Sequence, residues 1–224
     1  MGVFMMNQGL PKGDSLTIGV MCGASPKCSP EFAQASADIA KHLALAGYRF
    51  VYGGGSFGLM GAFASTALQH GAELIGVMPE FMKQVEWDHD GLSDLIVTED
   101  LSQRKAKMYQ LSDHILILPG GLGTLDELFD VLMNKRFGLF DGNIILYNQD
   151  GFFDDLLAFM KSLVQKKFAE STDRDLWTVV SHREGIVEAI NARAKDHKNL
   201  LDRCAEVSCG DLSKSVIADI WTTS

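Results

Sequence analysis

From Leu16 onward, short apolar runs alternate with longer stretches of helical period. LTIGVM (16–21) reads as a strand; Ser29 or Pro30 then opens a helix to about Ala46, with Ala33, Ala37, Ala40 and Ala44 keeping one face small, and Gly47 stops it. YRFVY (48–52) is a second strand, GGGSFG a loop, LMGAFASTALQH a helix ended by Gly71, and ELIGVM (73–78) a third strand. After the irregular EFMKQVEWDHDG come the short strand LIV (95–97), a helix over 101–111, the strand HILILP, and a helix predicted from Leu125 to about Phe137. NIILYN (143–148) and LWTVVS (176–181) supply further strands, with helices near 152–168 and 182–194. Strands separated by helices of this length need crossover connections. The pattern therefore predicts an α/β fold: a Rossmann-like, doubly wound, mostly parallel sheet with helices on both faces.

In this organisation residues 1–14 are a flexible arm, 15–194 a single Rossmann-like domain, and 195–224 a peripheral extension with a weak helical pattern in LSKSVIADIW. A chain of 224 residues that is 46% hydrophobic and 22% charged suits one compact domain with a substantial core. The net charge of −9 argues against a protein that grips nucleic acid or an anionic membrane surface, and confines any anion site to a local pocket. No apolar run reaches the roughly 18 residues of a membrane span. Cys22, Cys28, Cys204 and Cys209 show neither C-x-x-C spacing nor the density of a disulfide scaffold, and point to reduced thiols in a cytoplasmic protein. His89, in WDHD, reads as part of a hydrated loop, since no H-x-x-x-H spacing accompanies it; no metal is expected.

Ligands of such sheets sit at the carboxyl ends of the strands. Three small-residue loops leave strand ends here, CGAS (22–25), GGGSFG (53–58) and PGGLGT (119–124), and the topology predicts that they meet at one crevice. Gly53-x-Gly55-x-x-Gly58 formally matches the dinucleotide fingerprint, with Glu73 and Glu80 downstream, and on that basis suits hydride transfer. Against this, the fingerprint normally occupies the first strand-turn-helix and serves alone, whereas this chain carries a second glycine loop. The alternative is that these glycines let a strand turn tightly into a close-packed helix.

The second loop is better suited to a single phosphate. Gly120, Gly121 and Gly123 can turn backbone N–H groups inward, the following helix adds N–H donors and a positive dipole end, and Thr124 adds a hydroxyl. The Gly-Lys-Ser/Thr ending of a nucleoside-triphosphate loop is missing, so a monophosphate fits better than Mg-dependent phosphoryl transfer. Glu127 has two readings. Thr124-Leu125-Asp126-Glu127 fits a T-x-x-E capping box with Thr124 as the cap; alternatively, Glu127 acts on the ligand. Asp126 and Glu127 diverge by about 100° on a helix, so at most one of them acts on it. Upstream, Arg104 and Lys105 lie on the helix that feeds HILILP. They are either a solvated basic face or the positive charge an anionic substrate requires.

At these residues the chain resembles the LOG family of cytokinin riboside 5′-monophosphate phosphoribohydrolases, often labelled lysine decarboxylases. Pro119 to Glu127 match the family signature P-G-G-x-G-T-x-x-E in full, Arg104 and Lys105 match its R-K pair, and YGGGSFGLMG (52–61) and CGAS are similar as well. The resemblance spans roughly residues 16–194. It implies hydrolysis of the N-glycosidic bond of a nucleoside 5′-monophosphate, either AMP or an N6-substituted relative, to free base and ribose 5-phosphate. By the same resemblance Arg104 and Glu127 are the catalytic pair. Substrate contacts fall to Glu86, Lys105, the loop residues Gly120, Gly121, Leu122, Gly123, Thr124, Leu125 and Asp126, and Gly54, Gly55, Gly23 and Ser25. No cofactor is implied, and a homodimer or higher homo-oligomer is. Nothing identifies a Schiff-base lysine or a pyridoxal phosphate site, so the decarboxylase label gains no support from the residues.

The chain also departs from the family pattern. In place of M-H-x-R-K it has Leu101 and Ser102 before Arg104, with Met108 kept, and in place of W-x-Q-L-G after the signature helix it has Met133 to Gly138, with Lys135 and Arg136 as added positive charge. These changes bear on the pocket wall and on base preference. A competing class is a non-catalytic carrier or sensor of a nucleotide or phosphate-bearing cofactor on the same fold.

Overall fold

The structure is a computed structural model and describes residues 15–84 and 91–192. Its strands are β1 (Thr17–Met21), β2 (Arg49–Tyr52), β3 (Leu74–Pro79), β4 (Asp94–Thr98), β5 (His114–Ile117), β6 (Ile144–Tyr147) and β7 (Thr178–Val180), in the sheet order β4-β3-β2-β1-β5-β6-β7. The helices are α1 (Pro30–Leu45), α2 (Gly58–Gln69), α3 (Leu101–Leu111), α4 (Leu122–Arg136), α5 (Asp154–Gln165) and α6 (Glu184–Asn191). This is the parallel, Rossmann-like α/β sheet that the alternation of runs predicts. The described residues form two compact units, one of 15–20, 26–84 and 91–114, the other of 21–25 and 115–192.

In the first unit β1, β2, β3 and β4 pair in parallel. All residues of β1 and β3 are buried, as expected of strands covered on both faces. Helix α1 starts with Pro30 at its first position, where the missing N–H costs nothing, and packs against α2, with Ser36 Oγ donating to the Leu59 carbonyl at 3.0 Å. Ala40 and Ala44 on α1 and Ala64 and Ala67 on α2 are all buried, which accounts for the small face in the sequence. Phe50 and Phe63 stack edge to face at 5.0 Å in the core, a contact worth about 0.5–1.5 kcal/mol beyond its burial. Asp113 ties the start of β1: its N–H donates to Thr17 O at 2.8 Å and its carboxylate accepts from Thr17 N at 2.9 Å.

In the second unit β5, β6 and β7 pair in parallel. Where the end of β1 enters this unit, Leu118 N–H donates to Met21 O at 2.9 Å and Gly23 N–H to Pro119 O at 3.0 Å, so the two segments rise together. The charges at the end of α4 turn inward. Lys135 Nζ donates to the Gly142 carbonyl, and Arg136 meets Glu170 at 3.6 Å and Asp173 at 3.2 Å. Burial pushes the Lys135 ammonium below the ordinary lysine pKa, with the Asp141 carboxylate acting in the opposite sense. The Lys135-Arg136 pair is therefore spent on holding this unit together. Among the described residues no helix is long and apolar enough to cross a membrane.

Candidate active site

Arg104 sits in the first turns of α3. Asp100 caps that helix, its carboxylate accepting from Gln103 N at 2.7 Å, a bond worth about 1 kcal/mol. Asp100 O accepts from Arg104 N at 3.1 Å. The Arg104 side chain is 8% exposed, and its Nε donates to the Val77 carbonyl of β3 at 3.1 Å. Lys105, the next residue, is half-buried. The basic pair is thus split, and the solvated-face reading fails for Arg104.

The first glycine loop lies beside this arginine in the same unit. Gly53, Gly54 and Gly55 are all buried. Gly54 has φ +85°, and a Cβ there would touch Met78 at 3.3 Å and Leu95 at 3.5 Å. A Cβ on Gly61, in α2, would overlap the Ser56 carbonyl. Gly54 and Gly61 thus meet the demands of a tight strand-to-helix turn.

The second glycine loop lies with CGAS in the other unit. Here the predicted start of the helix needs correction. Helix α4 begins at Leu122, with Gly121 as its N-cap and Gly121 O accepting from Leu125 N at 3.0 Å. Thr124 is therefore the third residue of the helix, and the cap position makes no side-chain hydrogen bond. The T-x-x-E capping box is not formed, because the chain turns into the helix within GLGT, three residues before the expected point. Glu127 instead lies in the second turn, 7% exposed, beside an exposed Asp126, as the divergence of neighbouring helical side chains requires.

Within the loop the residues divide by what they touch. Gly23 N–H is bonded to Pro119 O, and a Cβ on Gly120 would overlap Thr124 Oγ1 and lie 2.8 Å from Gly23 N. Gly23, Gly120 and the buried Thr124 thus pack against one another. Around Gly121 and Gly123 a Cβ would meet no atom within 4 Å, and Leu122 between them is 87% exposed. Leu125 is half-buried and Ser25 exposed. The first turn of α4 therefore opens on space with N–H groups that have no acceptor within the helix, an arrangement suited to an oxyanion. Glu86, the remaining substrate residue implied by the resemblance, lies outside the described residues, as do His89, the 1–14 arm and the 195–224 extension. Sequence reasoning missed Gly53 as a neighbour of Arg104, and missed the Val77 carbonyl, a backbone group with no signature of its own.

The family model described as "Possible lysine decarboxylase" matches residues 60–190. A cytokinin riboside 5′-monophosphate phosphoribohydrolase of Rhodococcoides fascians is 35% identical over 186 residues, 83% of this chain and 93% of the relative. One from Arabidopsis thaliana is 30% identical over 208 residues, 92% of this chain and 97% of the relative. Among solved structures, a molybdenum cofactor binding protein of Rippkaea orientalis has TM-score 0.60 at 24% identity, covering 78% of this chain and 94% of its own. The molybdenum cofactor carrier protein of Chlamydomonas reinhardtii has TM-score 0.62 at 23% identity, covering 79% and 96%; at these identities the likeness concerns the fold. With the signature from Pro119 to Glu127 and the buried Arg104 in place, the chain belongs to the LOG family, the family of the cytokinin riboside 5′-monophosphate phosphoribohydrolases.

Proposed function

We propose that this protein hydrolyses the N-glycosidic bond of a nucleoside 5′-monophosphate, AMP or an N6-substituted AMP, releasing the base and ribose 5-phosphate. The observation that carries this reading is Glu127, a buried carboxylate one turn beyond an open anion loop and relieved of any capping role. The curated relatives, at 35% and 30% identity over most of their length, support the same reaction.

The backbone N–H groups around Gly121 to Thr124 hold the 5′-phosphate, which does not react; its binding energy orients the sugar. As the C1′–N9 bond breaks, its electron pair leaves with the base and the ribose becomes oxocarbenium-like. The Glu127 carboxylate stabilises that charge and takes a proton from the water that adds to C1′. The departing base nitrogen takes up a proton in turn. Arg104 presents a planar cation to a substrate oxygen. The enzyme works in the cytoplasm as a homodimer, a reading supported by four cysteines in 224 residues, too few for a disulfide scaffold, and by the exposed Phe129 and Met133, one turn apart on α4.

Glu127→Gln tests the mechanism because it keeps size and hydrogen bonding and removes the charge. Base release from AMP should fall by about 10²-fold or more, with the melting temperature unchanged. Full activity in that variant would remove Glu127 from the chemistry.

A further inference from the structure

Gly53 follows β2 directly, and its φ lies outside the positive range, so its backbone takes a conformation open to any residue. What excludes a side chain is space. A Cβ on Gly53 would overlap Arg104 Nη2, come within 3.3 Å of Arg104 Cζ and lie 2.9 Å from Met60 Sδ. The guanidinium therefore rests directly on the Gly53 backbone. At its other edge Nε donates to the Val77 carbonyl at 3.1 Å. A planar group held at Nε by a hydrogen bond and at Nη2 by van der Waals contact with a bare Cα has its plane fixed, not only its position.

We infer that Gly53 is a positioning residue for Arg104: it is the seat that sets the tilt of the guanidinium, because only a residue without a Cβ leaves room for that side chain. The inference rests on Arg104 acting in catalysis as proposed above. It deepens that reading by giving the first glycine loop a role in the same reaction. A methyl group on Gly53 would displace Nη2, the far end of a flexible side chain, while leaving the backbone unstrained. The fold survives and the arginine tilts away from its working orientation.

The test compares Gly53→Ala in two backgrounds, the native chain and Arg104→Lys, which keeps a cation but has no Nη2 to collide with the new methyl. In the native background kcat for base release from AMP should fall about 10- to 100-fold, the scale set by a misplacement of about 1 Å. In the Arg104→Lys background the same substitution should change kcat by less than about twofold, because the group it acts through is gone. Equal factors in both backgrounds would overturn the inference alone. Recovery of Gly53→Ala activity on adding Met60→Ala would also overturn it, assigning the loss to the thioether. Unfolding of both Gly53→Ala and the double variant would overturn the steric account. Full turnover in Arg104→Ala would instead overturn the catalytic role of Arg104, and the inference with it.

Discussion

A Cβ on Gly120 would overlap Thr124 Oγ1 and press on the Gly23 amide, whereas one on Gly121 or Gly123 would meet nothing within 4 Å. Three glycines of one motif thus answer to two demands, internal packing and an open face. Gly120→Ala should lower the melting temperature by a few degrees, since overpacking costs about 1–3 kcal/mol and each kcal/mol shifts a chain of this size by about 2–4 °C. Gly121→Ala should leave the melting temperature within about 1 °C and raise KM for a nucleoside monophosphate several-fold, as the methyl group fills the space left for the phosphate. Thermal denaturation beside steady-state kinetics separates the two; equal destabilisation by both would remove the distinction. The motif itself was legible in the sequence because its residue types carry its chemistry. The seat of Arg104 was not, because it joins residues far apart in the chain and one partner, the Val77 carbonyl, is backbone.

At the scale of elements, α4 carries most of the proposed site. The strands before it and the helices around it were readable from apolar period and stop signals to within a few residues. Its start was not, because Gly121, Leu122 and Gly123 read as loop by propensity, yet the backbone is already helical at Leu122. Moving the start to Leu122 replaces Glu127 as a capping partner with Glu127 as a buried acid. The same helix leaves Phe129 and Met133 40% and 42% exposed on one face, large apolar groups that a homodimer contact would cover. Phe129→Asp should therefore shift the protein towards monomer in sedimentation velocity. An unchanged sedimentation coefficient would contradict the homodimer contact proposed for this face. The end of the helix is held otherwise, by Lys135 on the Gly142 carbonyl and Arg136 between Glu170 and Asp173. Sequence alone could not tell these inward-turned charges from a basic surface, because the charge is visible and its direction is not.

For the molecule as a whole, a net charge of −9 sits with an anionic substrate only if the attraction is local. The first-turn N–H groups of α4 offer such a local attraction within their own unit. The parallel sense of the strands was implicit in the alternation of strand and helix, since each crossover returns the chain in the same direction; the order β4-β3-β2-β1-β5-β6-β7 was not, because alternation alone does not say on which side of the sheet the next strand is added. The activity follows from no such rule and is supported by the relatives of the chain. It is tested most directly by incubating the protein with AMP and, separately, with adenosine, and quantifying free adenine and ribose 5-phosphate. The account predicts adenine and ribose 5-phosphate in equal amounts from AMP, and no adenine from adenosine, which lacks the anchoring phosphate. Binding of AMP without release of base, the behaviour of a carrier, or equal release from adenosine would contradict it.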